Sequence, residues 1–177
     1  MKIARAGFTL VELMVSISIL SIMMLFLYKS YASLNKTNAI YKLESEKIQK
    51  QQIRKKTLYL DFSLALANST QILKQDTKED VIFMQSANSL HKNYNPYIAY
   101  IVKNEKLYRL ESLNKFTEYP LGVESVFIAD EIGEVNSFRV YKSSKKVGTS
   151  TPEIYLVHID FKEENDILVK IKVLNEK

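Results

Sequence analysis

The chain contains no cysteine, and its 177 residues include only two histidines, three prolines and four glycines. Without cysteine there is no disulfide, thiolate zinc site, cysteine nucleophile or lipid-bearing cysteine. Gly7, Gly122, Gly133 and Gly148 lie too far apart for a GxGxxG or P-loop phosphate cradle. So few glycines and prolines also exclude a collagen-like or linker-rich chain. His91 and His158 leave little scope for a histidine metal cluster. Charge of one sign is weak as well: 25 Lys and Arg face 20 Asp and Glu, a net +5 spread along the chain, which does not by itself argue for nucleic acid. A composition of 46% hydrophobic and 25% charged residues is ordinary for a folded protein. The length allows one domain, or one domain with an extension.

What is present is uneven. Residues 1–7, MKIARAG, form a short basic segment with Lys2 and Arg5. Residues 8–28, FTLVELMVSISILSIMMLFLY, contain a single charge, Glu12. At ~1.5 Å per residue this stretch makes a helix about 31 Å long, close to the hydrocarbon thickness of a bilayer. A membrane segment is expected here. Lys2 and Arg5 precede it and Lys29 follows it, so the short basic end is expected to stay in the cytoplasm and residues 30–177 to lie outside the cytoplasmic membrane. A cleaved secretory signal with Ser30-Tyr31-Ala32 as its cleavage site is one alternative, and a plain signal anchor is another. Against the first, the apolar stretch exceeds the usual h-region and carries a carboxylate.

Residues 29–68 contain no Gly and no Pro, and Leu34, Tyr41 and Ile48 recur every seven residues. Tyr59, Phe62 and Leu66 return to nearly the same helical face. Between them lies a polar block, Glu44 to Lys56, with five cations and two glutamates. The pattern predicts a stem helix that continues the membrane segment, solvated in its middle and packed on a domain at its end. The basic block suits a solvated face, DNA backbone, anionic headgroups or acidic neighbours. From residue 80 the period changes to that of strands: 81–84, 97–102, 106–110, 123–129, 138–142, 154–161 and 167–174. Residues 162–166 form the hairpin loop between the last two, and 86–96 and 143–152 are loops. The order predicts an α+β fold: a long helix, its first half in the membrane, packed on a C-terminal antiparallel β domain.

Chemistry is hard to find in the exported part. There is no G-x-S-x-G, S-x-x-K, HExxH or His-x-His. His91 lies in a polar loop, and His158 shares a strand face with Asp160, which can pair with it without catalysis. Asp76, Glu79 and Asp80, and Asp130, Glu131 and Glu134, lack the spacing of a calcium loop and read as solvated acidic turns, with calcium as the alternative. The aromatic loop Asn93-Tyr94-Asn95-Pro96-Tyr97 could stack nucleobases, although such residues more often make core or subunit contacts. No catalytic residue, metal site or cofactor is expected, and no enzyme.

The run Gly7-Phe8-Thr9-Leu10-Val11-Glu12 resembles the processing site of type IV prepilins and pseudopilins, G-F-T-L-x-E followed by an apolar stretch. The resemblance implies cleavage between Gly7 and Phe8 by a prepilin peptidase, with the leader cations Lys2 and Arg5 ahead of the cut, and N-methylation of Phe8. It implies that Glu12 pairs with the N-terminal amine of a neighbouring subunit and sets the stagger between helices; a bland alternative is a carboxylate hydrated at the headgroups. Ser16, Ser18 and Ser21 either pack helix on helix or bond their own i−4 carbonyls. Implied partners are other pseudopilins or pilins, the peptidase, an inner-membrane platform with its ATPase, and membrane lipid, with nucleic acid a further candidate. The implied fold is pilin-like. Leu58-Tyr59-Leu60-Asp61-Phe62, Leu121 to Phe127 and Pro152 to Val157 are similar to stretches of the minor pseudopilin J and pilus protein W group. The expected division is 1–7 leader, 8–28 transmembrane and assembly helix, 29–68 stem, and 69–177 exported domain. The expected role is a minor pseudopilin or minor pilin in type II secretion, a type IV pilus or a DNA-uptake pseudopilus. The rival from another class is a monomeric membrane-anchored periplasmic binding domain, which has no need of Gly7 before Phe8 or of Glu12.

Overall fold

A computed structural model describes residues 9–75, 78–122, 125–143 and 153–174. The chain divides into two units, Met1–Gln51 and Gln52–Lys177. One helix, α1 (Leu10–Ser63, 54 residues), provides all the secondary structure described in the first unit and the opening of the second. Its length follows from the absence of Gly and Pro through this range, so nothing interrupts the i→i−4 ladder. It is the one described helix long and apolar enough to cross a membrane.

The stem was expected to run to residue 68, but the helix stops at Ser63. The sheet captures the backbone there. Leu66 N–H donates to Gln85 O at 2.8 Å, and Ala65 bridges Ser86. Asn68 then takes φ 57°, a left-handed conformation that Asn tolerates better than most residues and that a helix cannot continue through.

The second unit is a seven-stranded antiparallel meander in sequence order: β1 (Gln71–Leu73), β2 (Val81–Gln85), β3 (Tyr97–Lys103), β4 (Lys106–Ser112), β5 (Ile128–Lys142), β6 (Ile154–Phe161) and β7 (Ile167–Lys172). Five of the expected strands recur with small changes of boundary. The other two, 123–129 and 138–142, are one strand, β5, of 15 residues. Val123 and Glu124 lie outside the described residues, and Ser125–Phe127 are not strand. The polar middle of β5 stays extended because it changes partner instead of turning. Ile128–Glu134 pair with β4 and Val135–Lys142 with β6, with a bulge on each ladder. Gly133 sits at the handover with φ 154°, where an added Cβ would lie 3.1 Å from Phe161 Cε1. Strand β1 was not expected; at three residues it is too short to carry a period. The last strand ends at Lys172 and not Leu174, because Val173 N–H and Leu174 N–H donate to Glu153 O and Ser63 O.

The sheet buries one face along most of its length and, over β2 to β4, the other face as well. One packs Ile82, Met84, Ile98, Phe138 and Tyr155 against Leu58 and Phe62 of the helix end. Phe62 lies 5.5 Å from Tyr155 and 6.2 Å from Tyr100, ring centre to ring centre. The other packs Val81, Phe83, Ala99, Ile101 and Leu110 under Phe116 of the segment that follows β4. This is why Ile98 to Val102 is apolar at five successive positions.

Candidate functional site

Two places carry polar chemistry in an apolar setting. The first is the start of α1. Thr9 is the N-cap, and its backbone N–H and hydroxyl both donate to Glu12 Oε2 at 2.9 Å. Glu12 N–H donates back to Thr9 Oγ1 at 3.3 Å. The spacing T-x-x-E makes this a capping box, which satisfies helix N–H groups that no earlier carbonyl can reach. The geometry is local: the glutamate that the resemblance assigns to assembly also closes its own helix. Ser16, Ser18 and Ser21 donate to the carbonyls of Glu12, Met14 and Ile17 at 2.7–2.9 Å. Of the two readings of these serines, bonding within the helix is the one observed, and it lets each hydroxyl sit in an apolar surround without an unpaired donor. The large apolar side chains from Leu10 to Tyr28 are all exposed. Gly7, Phe8, Lys2 and Arg5 lie outside the described residues.

The second place lies in the globular unit, where α1 meets the sheet. Asp61 and Arg109 are both fully buried. Arg109 Nε donates to Asp61 Oδ2 at 2.7 Å and Nη2 to Oδ1 at 3.1 Å, a two-pronged pair. Tyr100 O–H and Asn88 Nδ2 each add a 2.6 Å bond to the same carboxylate. Arg109 Nη1 donates to Glu111 Oε2 at 2.8 Å. Glu111 accepts further bonds from Ser89 Oγ, Leu90 N–H and Asn93 Nδ2. Register explains the convergence: Tyr100, Arg109 and Asp130 face one another across β3, β4 and β5, and Glu111 is two residues from Arg109 on the same strand face. Asp130 pairs with His91 at 2.9 Å and lies 3.7 Å from Arg109.

Burial opposes charge on Arg109, but the hydrogen bonds and field of Asp61, then Tyr100 and Glu111, outweigh it, and the guanidinium pKa rises. Burial also opposes charge on Glu111, but the donors Ser89, Arg109, Leu90 and Asn93 win, and its pKa falls from 4.5 to about 2. Burial and then the neighbouring Asp61 push the Tyr100 phenol well above its ordinary value. The cluster is therefore a fixed set of charges with every strong donor engaged. That suits holding a helix end on a sheet.

The remaining sequence candidates disperse. His91 joins the edge of this network through Asp130. His158 pairs with Asp166 at 3.5 Å and not with Asp160, which accepts from Asn136 instead. Among the described residues Glu79, Asp80, Asp130, Glu131 and Glu134 do not lie in turns. Asp80 is fully buried, bonded to Lys74 Nζ at 2.6 Å and Arg139 Nη1 at 2.9 Å. Asp130, Glu131 and Glu134 lie on β5, with Glu131 paired to Lys106. Asp76 lies outside the described residues. Among the described residues no group of three acidic, histidine or cysteine side chains could hold a metal ion.

Arg109, Tyr100 and Glu111 were missed in the sequence. A signal for two of them existed: on Leu107-Tyr108-Arg109-Leu110-Glu111, alternation places two charges on the face of Leu107, which is buried.

Comparison with known families decides the first place. The family model described as a prokaryotic N-terminal methylation motif matches residues 3–28. This match at the N-terminus supports the type IV prepilin and pseudopilin family. The match spans residues 3–7 of the expected leader, the cut expected between Gly7 and Phe8, Glu12 and the whole apolar stretch. With the long helix and the antiparallel domain behind it, the chain is pilin-like in architecture. No curated protein and no solved structure matches the chain.

Proposed function

We propose that this pilin-like chain is a minor pseudopilin or minor pilin, a structural subunit of a fibre in a secretion, pilus or DNA-uptake system. The observation that carries the reading is the methylation motif at residues 3–28 leading directly into an exposed apolar helix. A prepilin peptidase removes residues 1–7, with Lys2 and Arg5 as the leader cations it meets, and the new amine on Phe8 is methylated. The single-pass helix then holds the subunit in the cytoplasmic membrane, its domain in the periplasm, until an inner-membrane platform and its ATPase move it into the fibre. Glu12 would there exchange part of its bonding to Thr9 for the terminal amine of a neighbour. The absence of cysteine leaves the exported domain dependent on packing, which favours a minor over a major subunit.

The rival is a monomeric anchored domain, and the capping box favours it to one extent: it gives Glu12 a use that needs no neighbour. Glu12→Ala separates the two. In a fibre subunit it lowers recovery in sheared fibre fractions by about a hundredfold or more, because breaking a charge pair in a dry site costs about 3–5 kcal/mol. In an anchored monomer it leaves the amount in the membrane fraction as the only, and unchanged, quantity.

A further inference from the structure

On α1 one row of side chains runs Lys29, Ser33, Lys36, Ile40, Leu43, Lys47 and Lys50, each three or four residues from the last. That spacing keeps them on one side of the helix. All are exposed. The next member of the row, Arg54, is already held by Glu164 at 2.6 Å. Carboxylates are scarce in this stretch. Glu44 and Glu46 are the two between Lys29 and Lys56, and Glu44 reaches only Lys47, at 3.5 Å.

We infer that this row is a docking surface for a different subunit of the same fibre, one that presents an acidic helix or strip to it. The inference rests on the fibre reading above and adds the chemistry of the neighbour. Packed helices lie 8–10 Å apart, within about one Debye length at physiological salt, so facing charges act on each other at that range. A second copy would set lysine against lysine along the whole row, because its own stem has only two carboxylates to offer. Membrane headgroups do not account for the row, since Lys50 lies about 32 Å along the helix from Lys29. A nucleic-acid backbone would neutralise the lysines but leave Ile40 and Leu43 uncovered in the middle, and the row has no aromatic side chain on which a base could stack. A protein neighbour with acidic residues flanking small or apolar ones covers both kinds of position.

The test replaces Ser33 with photoreactive benzoylphenylalanine in the full chain, irradiates intact cells and identifies the adduct by mass spectrometry. The expected adduct joins residue 33 to an acidic segment of another pilin-like subunit. Combining Lys36→Glu, Lys47→Glu and Lys50→Glu should cut its yield about tenfold, with removal of residues 1–7 unaffected, and acidic-to-lysine changes in the partner's segment should restore it. An adduct of the chain with itself, an adduct destroyed by nuclease, or a yield indifferent to the charge reversal overturns the inference and leaves the fibre reading standing. Retention of residues 1–7 together with no adduct overturns both.

Discussion

The tightest constraint at the scale of single residues is the carboxylate of Asp61, which takes four hydrogen bonds from three side chains in a fully buried site. Removing it leaves the Arg109 guanidinium in a dry surround without its main counter-charge. Asp61→Ala should therefore cost about 3–5 kcal/mol in denaturant unfolding of the detergent-solubilised chain. Asp61→Leu with Arg109→Met should cost much less than the two single changes summed, because the pair is replaced and not broken. Glu111 gives a pH signature. Its folded pKa, about 2, lies below the unfolded 4.5, so its contribution is present above about pH 4.5 and is lost as the pH falls toward 2. Unfolding midpoints measured across that window should fall with acid, and Glu111→Gln should flatten the slope. Little of this was legible beforehand. Asp61 stood out as a charge in an apolar helix, but its partner lies 48 residues away on a strand and is found only once the register is known.

Among elements, the helix and the strands at the C-terminal end were plain in the sequence, because a run without Gly or Pro and a period of two leave few alternatives. What failed were boundaries decided by tertiary hydrogen bonds. Leu66 continues the apolar face of α1, yet its N–H goes to Gln85 in the sheet, and no local pattern encodes that choice. Likewise Asp130 to Glu134 has the composition of a turn and becomes part of β5, because it pairs with β4 and the chain runs on extended into its pairing with β6. Gly133 is the residue that makes the handover fit. Gly133→Ala should lower the melting temperature, at a cost of about 1–3 kcal/mol for a strained backbone and a Cβ pressed on Phe161. The same change at Gly122, whose added Cβ would have no neighbour closer than 3.9 Å, should be far milder.

For the molecule as a whole, the sequence separates what it does into two unequal parts. A stretch of fewer than thirty residues, matched by the methylation-motif family, bears on processing, membrane anchorage and assembly. The antiparallel domain holds its buried charges in structural pairs. The motif was legible because it is a fixed order of residues in one short stretch, which the chain carries in full. Surface recognition depends on residues brought together by folding and by neighbours, and leaves no such linear record. The central claim is that the chain is made as a prepilin and matured. Intact-mass and N-terminal peptide analysis of the full chain, purified from membranes of cells with and without an active prepilin peptidase, tests it most directly. A prepilin yields a chain beginning at N-methylated Phe8 when the peptidase is present, and one retaining residues 1–7 when it is absent. Retention of Met1 to Gly7 in both, or cleavage after Ala32 in either, would contradict it.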